Sequence, residues 1–215
     1  MSATLWVRVQ SGFQARCAEQ GGADVLVLTG TDPELSPPAD VVAQVRGAST
    51  VHLRVVLRLR EGYLTDGAEM TRLRGLASAY THAGADGFVF GFLNAGAGID
   101  PVACRELEGD DTWGWTLDRA IDAVLDPDRA WADLEGLQRL DSVMTAGSAR
   151  GVEYGLDRLI GTHPPYPVVA AGGLLPEHVP WLARGGIDQF YVDTPPQSPE
   201  VVAAWRRLID AETTR

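Results

Sequence analysis

The sequence contains no lysine, and all 18 of its basic residues are arginines. Lysine supplies the amine that forms Schiff bases with carbonyl substrates and with pyridoxal phosphate, and it also serves as a general base. Schiff-base aldolases, pyridoxal enzymes and enzymes with a lysine base are therefore excluded. Fixed positive charge in a binding site must come from arginine, whose planar guanidinium suits carboxylates and phosphates.

Cysteine is also scarce, because Cys17 and Cys104 are the two in the sequence. They lie far apart and match no metal-binding or redox spacing. In a cytosolic chain such a pair is more often two buried thiols than a disulfide. We therefore expect two buried, free cysteines.

Long hydrophobic runs are missing. The longest apolar stretches have the length of a strand, and no basic segment precedes one, so neither a signal peptide nor a membrane span is predicted. We expect a cytoplasmic protein. Its net charge of -11 and isoelectric point near 4.7 repel phosphate backbones and anionic membrane surfaces. Neither nucleic acid nor a membrane is expected as a partner.

What the sequence does contain is a series of short runs rich in β-branched and aromatic residues, separated by segments with helical spacing. Most of these runs are continuously apolar, which is typical of parallel strands covered on both faces. The predicted strands are residues 4–10, 24–29, 51–58, 87–93, 112–117, 142–146, 167–171 and 189–192.

Apolar residues three and four positions apart predict the helices between these strands. The predicted helices lie around residues 70–80, 131–137, 152–160 and 202–209, with shorter ones at 38–46 and 100–107. Asp66, with Glu69 three residues later, predicts the N-cap of the first. Gly161 predicts the end of the third. Ser198 and Pro199 predict the start of the last.

Eight strand-then-helix units in one uninterrupted chain predict an α/β fold, a single (β/α)₈ TIM barrel over residues 1–215. The length is at the lower end for this fold. A doubly wound sheet is the alternative. That fold usually has fewer strands and a glycine fingerprint for dinucleotides, which neither GGADVLVLTG nor AGGLLPEH matches.

Ligands of such a barrel bind at the carboxyl ends of the strands, so chain order identifies the residues of the barrel mouth. Three arginines fall there, Arg58, Arg60 and Arg119, close to the carboxylates Asp118 and Asp122. Carboxylates can hold guanidinium groups in place to receive an anion. We predict an anion site in which the two aspartates are catalytic or orienting groups. The alternative is an ion-pair cluster that only closes the barrel rim.

Two more segments of the mouth are predicted to bind the ligand. Thr145 and Gly147 follow the sixth strand, and Gly172 and Gly173 lie before the helix that starts near Pro176. Glycines let backbone N–H groups approach a phosphate at a helix N-terminus, although a glycine pair can also serve only the geometry of a turn. The other mouth candidates are Ser11, Thr29, Gly91, Asn94 and Asp193.

Histidines are poorly placed for catalysis. His52, His82 and His163 fall at the amino-terminal ends of predicted strands, the face that serves stability in this fold. His178 lies near the mouth, in the first turn of the seventh helix, and we expect its side chain to be exposed. No Ser-His-Asp or Cys-His arrangement is predicted. A carboxylate, either Glu61 or one of the two aspartates at the mouth, would have to act as the base.

Six motifs occur in order along the chain: LRLREGY, GADGFVFGFL, GAGID, TLDRAID, MTAG and AAGG. Together they resemble the CutC family, called copper homeostasis proteins, which are barrels of about this length. The most specific segment is GADGFVFGFL, and the resemblance covers nearly the whole chain. It implies a TIM barrel and a role in copper homeostasis, with copper as the bound ion.

The chain departs from the family pattern at several positions. Asp118 stands where the family has a histidine, Thr29 where the second strand often ends in a cysteine, and Tyr191 where a histidine is expected near the last strand. Trp6 and Arg8 replace a glutamate and an occasional cysteine in the first strand. Since Cu(I) selects thiolate or thioether donors, no copper ligand set can be assembled from these positions.

Three hypotheses of function remain open. The first is a CutC-like copper homeostasis protein that binds or handles copper in the cytosol. The second is an enzyme or binding protein for a small anionic, for example phosphorylated, metabolite held by the mouth arginines. The third is a family member that keeps the barrel and has lost the activity.

Four of the tryptophans bear on assembly. Trp113, Trp115, Trp181 and Trp205 exceed what the exterior of a small barrel needs, which favours a homo-oligomer, a dimer or tetramer, with some of them at a subunit interface. Alternatively they fill the space between the strand and helix layers.

Overall fold

The computed structural model describes residues 3–31, 35–109, 112–161 and 164–213, and the predicted position of His163 lies outside them. Within these residues the strands form a closed barrel in which each strand pairs in parallel with the next, and the last pairs with the first. The predicted TIM barrel is confirmed. The strands are β1 (Thr4–Val9), β2 (Val25–Leu28), β3 (His52–Val56), β4 (Gly87–Phe90), β5 (Gly114–Leu117), β6 (Leu140–Thr145), β7 (Val168–Ala170) and β8 (Gln189–Val192).

One α-helix follows each strand and covers the outside of the barrel. The predicted helix starts are confirmed, since Asp66 accepts the N–H of Glu69 at 2.9 Å and Pro199 opens the last helix. The helices are α1 (Gly12–Gln20), α2 (Ala39–Ala48), α3 (Gly67–His82), α4 (Pro101–Glu108), α5 (Pro127–Ala132), α6 (Val152–Gly161), α7 (Val179–Arg184) and α8 (Pro199–Thr213).

The fifth helix is shorter than its apolar spacing predicts. The prediction of a helix through Leu137 was wrong, because α5 ends at Ala132. Leu134 and Leu137 are nevertheless buried, in the turns that follow the helix. Gly136 has a φ of 81°, in the left-handed region that an α-helix does not allow. The apolar periodicity therefore reflected burial on the barrel and not a continuous helix.

Side chains of the strands alternate between the barrel interior and the layer under the helices. The interior apolar cluster consists of Trp6, Val25, Val27, Val56, Val89, Met144, Val169, Ala171 and Tyr191. Trp113 and Trp115 belong instead to the large cluster between the strands and the helices, where both are buried. These two tryptophans fill the space between the layers, as the alternative to a subunit interface predicted.

A polar network occupies the barrel interior near its amino-terminal end. Arg54 donates to both carboxylate oxygens of Asp141, at 2.9 and 2.6 Å, and to the hydroxyl of Thr116 at 2.6 Å. Its guanidinium also lies 5.2 Å from the centre of the Trp6 ring. Because this end is filled, a ligand can approach the interior from the carboxyl-terminal end of the strands.

The two cysteines are buried and free, as predicted, and they lie on α1 and α4. In the part of the chain that the structure describes, no helix combines the length and apolar character needed to cross a membrane.

Candidate functional site

The mouth of the barrel contains an ion pair between the ends of two strands. Arg58 follows β3 and donates through Nη2 to Oδ2 of Asp118, which follows β5. The other carboxylate oxygen of Asp118 accepts the N–H of Ala120 at 2.9 Å and so caps the short 3₁₀ helix that begins there. Gly91, at the end of β4, makes room for this carboxylate, because a Cβ at Gly91 would lie 2.5 Å from Oδ1.

The surroundings of this pair change the acidity of both groups. Burial raises the pKa of Asp118 above that of an ordinary aspartate, against the opposing effects of the Arg58 charge and the Ala120 N–H. Burial acts to lower the pKa of Arg58, but the Asp118 carboxylate and Tyr63 together outweigh it and the pKa is raised. Asp118 is thus an acid that holds its proton more strongly than usual, beside a permanent cation.

A second ion pair lies one turn further along the chain. Arg119 donates through Nε to Oδ2 of Asp122 at 2.8 Å, and through Nη2 to the carbonyl oxygen of Ser148 at 3.2 Å. Asp122 also accepts the hydroxyl of Thr145 at 2.6 Å and the N–H of Ala146 at 2.9 Å. The bonds from Arg119 Nε, the Thr145 hydroxyl and the Ala146 N–H all fall on the Asp122 carboxylate, whose side chain is 4 % exposed. Asp122 therefore orients Arg119 and joins this segment to the end of β6.

The predicted glycines serve these contacts. Gly172 has a φ of 98°, and a Cβ there would lie 2.4 Å from Cζ of Arg119, so the guanidinium packs directly on this residue. Gly173 has a φ of 72° and donates its N–H to Asp193 at 2.9 Å. Gly147, with a φ of 71°, donates to the Thr145 hydroxyl at 2.8 Å. Each glycine adopts a backbone conformation that other residues rarely take.

Arg60 lies apart from these pairs. It donates through Nε to Glu69 at 2.7 Å and through Nη2 to Asp66 at 2.8 Å, both at the start of α3. The grouping of the three predicted arginines is thus divided, with Arg58 and Arg119 in ion pairs at the strand ends and Arg60 against a helix N-terminus.

Tyr63 was not among the predicted site residues, although it contacts one of them. The guanidinium of Arg58 lies 4.6 Å from the centre of its ring, within the range of a cation–π contact. Burial and the nearby Asp118 charge raise the pKa of this tyrosine. The sequence signal for this contact was an aromatic residue, Tyr63, in the loop that follows Arg58. Residue spacing does not show, however, that this loop folds back on the arginine.

His178 was expected to be exposed, and this prediction was wrong. The side chain is buried, and its Nδ1 accepts the backbone N–H of Leu175 at 3.1 Å. The backbone N–H of His178 donates to the Leu175 carbonyl at 3.0 Å. The ring packs back on the loop after β7 because the loop's backbone donor would otherwise be unsatisfied. His178 therefore shapes this loop.

Over the described ranges, no group of three or more histidine, cysteine, aspartate or glutamate side chains is arranged to hold a metal ion.

The fold and site define a TIM barrel whose mouth contains oriented arginine–carboxylate pairs. The sequence model of the CutC family matches residues 5–191, and the chain belongs to this family. A CutC family protein of Bacteroides fragilis is 32 % identical over 148 residues, which cover 66 % of this chain and 58 % of that protein. One from Bacteroides thetaiotaomicron is 33 % identical over 150 residues, 66 % and 59 % of the two chains. The match thus spans less than two thirds of these relatives.

Solved structures agree with the fold. One described as a candidate copper homeostasis protein CutC, from Streptococcus agalactiae, has a TM-score of 0.77 at 13 % identity and covers 88 % of this chain and 97 % of its own. Thiamine phosphate pyrophosphorylase from Pyrococcus furiosus has a TM-score of 0.64 at 15 % identity, and the match covers 98 % of this chain and 96 % of that one. At these identities the likeness concerns the fold alone.

Proposed function

We propose that this CutC family chain binds a small anionic metabolite at the carboxyl-terminal mouth of the barrel. The observation that carries the proposal is the arrangement of Arg58 and Arg119, each held by a buried carboxylate while its own side chain stays partly exposed, 25 % and 31 %. A guanidinium has five N–H donors in a fixed plane. Arg58 uses Nη2 on Asp118, and Arg119 uses Nε on Asp122 and Nη2 on the carbonyl oxygens of Ser148 and Ala149. The remaining donors are available to an anion.

Each residue of the site has a separate role in this proposal. Arg58 and Arg119 bind the anion, and Asp122, whose oxygens are occupied by protein donors, positions Arg119. Asp118 is the candidate acid or base, because its raised pKa brings proton exchange closer to neutral pH. Gly172 supports the proposal, since it lets the Arg119 guanidinium lie flat on the loop after β7.

We expect that replacing Arg58 or Arg119 by alanine weakens phosphate binding at least tenfold, or about 1.4 kcal/mol. Each change removes a charged donor and leaves a carboxylate that repels the anion. The measurement is calorimetric titration of the purified protein with inorganic phosphate and with glycerol 3-phosphate.

Arg74→Ala is the control, because Arg74 is an exposed arginine on α3 and its loss changes the net charge by the same amount. Circular dichroism would establish that the variants are folded. Wild-type affinity in the folded Arg58 and Arg119 variants would exclude the proposed site. Unfolding of both would support the alternative of a structural rim.

Copper handling is the second candidate function, and the name of the Streptococcus agalactiae protein favours it. The donor set of this chain does not fit copper. Burial raises the pKa of the Cys104 thiol to about 12, so thiolate is scarce at neutral pH, and Cys17 is also buried on an outer helix. Met144 lies inside the barrel among apolar side chains. We therefore derive no step that passes through copper.

The reduced protein is expected to bind no Cu(I) tightly in a competition titration against a coloured Cu(I) chelator. The reason is that the soft donors within the described residues, Cys17, Met70, Cys104 and Met144, are buried and dispersed. The Cys17→Ser/Cys104→Ser double variant is the control. Tight binding at one equivalent that survives in the double variant would mean that the barrel holds a copper site and that the ligand assignment is wrong.

We also propose that the chain is a single domain that works in the cytosol as a homo-oligomer, a dimer or tetramer. Trp181 supports an assembly, since it is 55 % exposed on α7 while Trp113 and Trp115 are buried. Large exposed aromatic side chains are enriched at subunit interfaces.

A further inference from the structure

A cavity of about 460 Å³ lies outside the barrel, between α5 and α6. Asp122, Thr145 and Gly147 are among its lining residues. All three were predicted from the sequence to belong to the site at the barrel mouth. Neither Arg58 nor Asp118 lines it. The cavity is therefore separate from the ion pair that follows β3 and β5.

The local fold explains why this space is open. The helix α5 has only 6 residues and ends at Ala132, so it covers little of the barrel surface beside it. On the other side, Gly155 holds the first turns of α6 against the backbone that follows β6. Packed protein interiors leave few voids larger than a water molecule, whereas ligand sites typically measure about 300–1,000 Å³. The volume is that of a ligand site.

Aromatic and aliphatic side chains form part of the cavity walls. Trp131, at the end of α5, and Tyr154, in the first turn of α6, contribute aromatic rings. Ile121, Leu159 and Val168 contribute buried aliphatic side chains. Such walls favour a flat apolar molecule, because aromatic rings bury large areas and pair with other rings.

Charged groups also line the cavity, and two of them are paired while Asp157 adds a further carboxylate. Asp122 is paired with Arg119, and Arg158 donates to Asp128 at 3.0 Å. The Asp157 carboxylate would repel an anion, so a negatively charged ligand is disfavoured. The Ser148 hydroxyl accepts the N–H of Arg150 at 3.1 Å, which leaves its own proton to donate to a ligand.

We propose that this cavity is a binding site for a small, uncharged, planar aromatic molecule that carries a hydrogen-bond acceptor. The ring lies between Trp131 and the aliphatic wall, and the acceptor faces the Ser148 hydroxyl. This site goes beyond the anion site of the mouth: the two share Asp122, but neither Arg58 nor Asp118 lines the cavity.

The test is a calorimetric titration with 2-naphthamide, a flat neutral probe with a carbonyl acceptor. We expect a dissociation constant of about 1 mM or lower, in line with the efficiency of ligands of this size. Trp131→Ala is expected to weaken binding at least tenfold. Tyr154→Ala is expected to weaken it several-fold, and since Tyr154 is half exposed this variant should fold even if Trp131→Ala does not.

Trp181→Ala is the matched control, because Trp181 is an exposed tryptophan on α7 that does not line the cavity. The sodium salt of 2-naphthoic acid is the matched probe, with the same rings and a negative charge, and it is expected to bind at least tenfold more weakly. The proposal is overturned if wild-type protein does not bind 2-naphthamide, if Tyr154→Ala binds it as well as wild type does, or if 2-naphthoate binds as tightly while phosphate saturates the mouth.

Discussion

Gly155→Ala is expected to destabilise the protein by about 3 kcal/mol, at the upper end of the usual cost of overpacking. A Cβ at this position would lie 2.0 Å from the carbonyl oxygen of Ala146 and 2.6 Å from the carbonyl carbon of Gly147. Both atoms belong to the backbone, so α6 itself must move away from the end of β6. The measurement is equilibrium unfolding in guanidinium chloride.

The matched control is Gly75→Ala, the same change within another helix. Gly75 is exposed on α3, and no atom lies within 4 Å of the Cβ that the change would add. Alanine loses less backbone entropy than glycine in a helix, so this variant is expected to gain about 0.5–1 kcal/mol. If the two variants shift stability in the same direction, the close contact of α6 with the barrel is wrong.

Asp122→Ala is expected to cost about 3–5 kcal/mol of the free energy of unfolding, as for other ion pairs broken on one side in a buried setting. The variant leaves the Arg119 charge, the Thr145 hydroxyl and the Ala146 N–H without their acceptor. Arg119 is 31 % exposed and water can reach it, which favours the lower end of the range. Equilibrium unfolding in guanidinium chloride measures this loss of stability.

Asp128→Ala is the control for Asp122. Asp128 also pairs with an arginine, Arg158, but its side chain is 97 % exposed, so the change should have no measurable effect on stability. A stable Asp122→Ala protein that has lost phosphate binding would mean that Asp122 positions Arg119 for the anion and contributes little to stability. A stable Asp122→Ala protein with normal phosphate binding would mean that this carboxylate contributes neither to stability nor to binding.

Asp122→Ala and Arg58→Ala together address the choice between an anion site and an ion-pair cluster that only closes the barrel rim. The structure combines both descriptions at different residues. Asp122 is bonded entirely within the protein, whereas Arg58 and Arg119 are fixed on one side and open on the other. Loss of stability in Asp122→Ala together with loss of binding in Arg58→Ala is the result that separates the two roles.

Much of the fold could be predicted because strand-forming runs carry local information. The predicted strand 189–192 coincides with β8, and the predicted strand 87–93 begins where β4 begins. The predicted strands extend past several strand ends, as at 51–58 against β3 (His52–Val56). Leu57, for example, follows the last paired residue of β3 and is still buried, because the loops of the mouth also pack on the barrel.

The sequence by itself determined the barrel, the buried cysteines and the arginines and aspartates that follow the strands, since each depends on residue type and on order along the chain. Only the tertiary structure decided how these groups pair. Arg60 binds Glu69, His178 folds back on its own loop, and Asp122 bonds Thr145. Such pairings depend on which loops become neighbours when the sheet closes, and hydrophobic periodicity does not encode this. The cavity beside α5 arises in the same way, from a helix that ends early while α6 is held against the barrel.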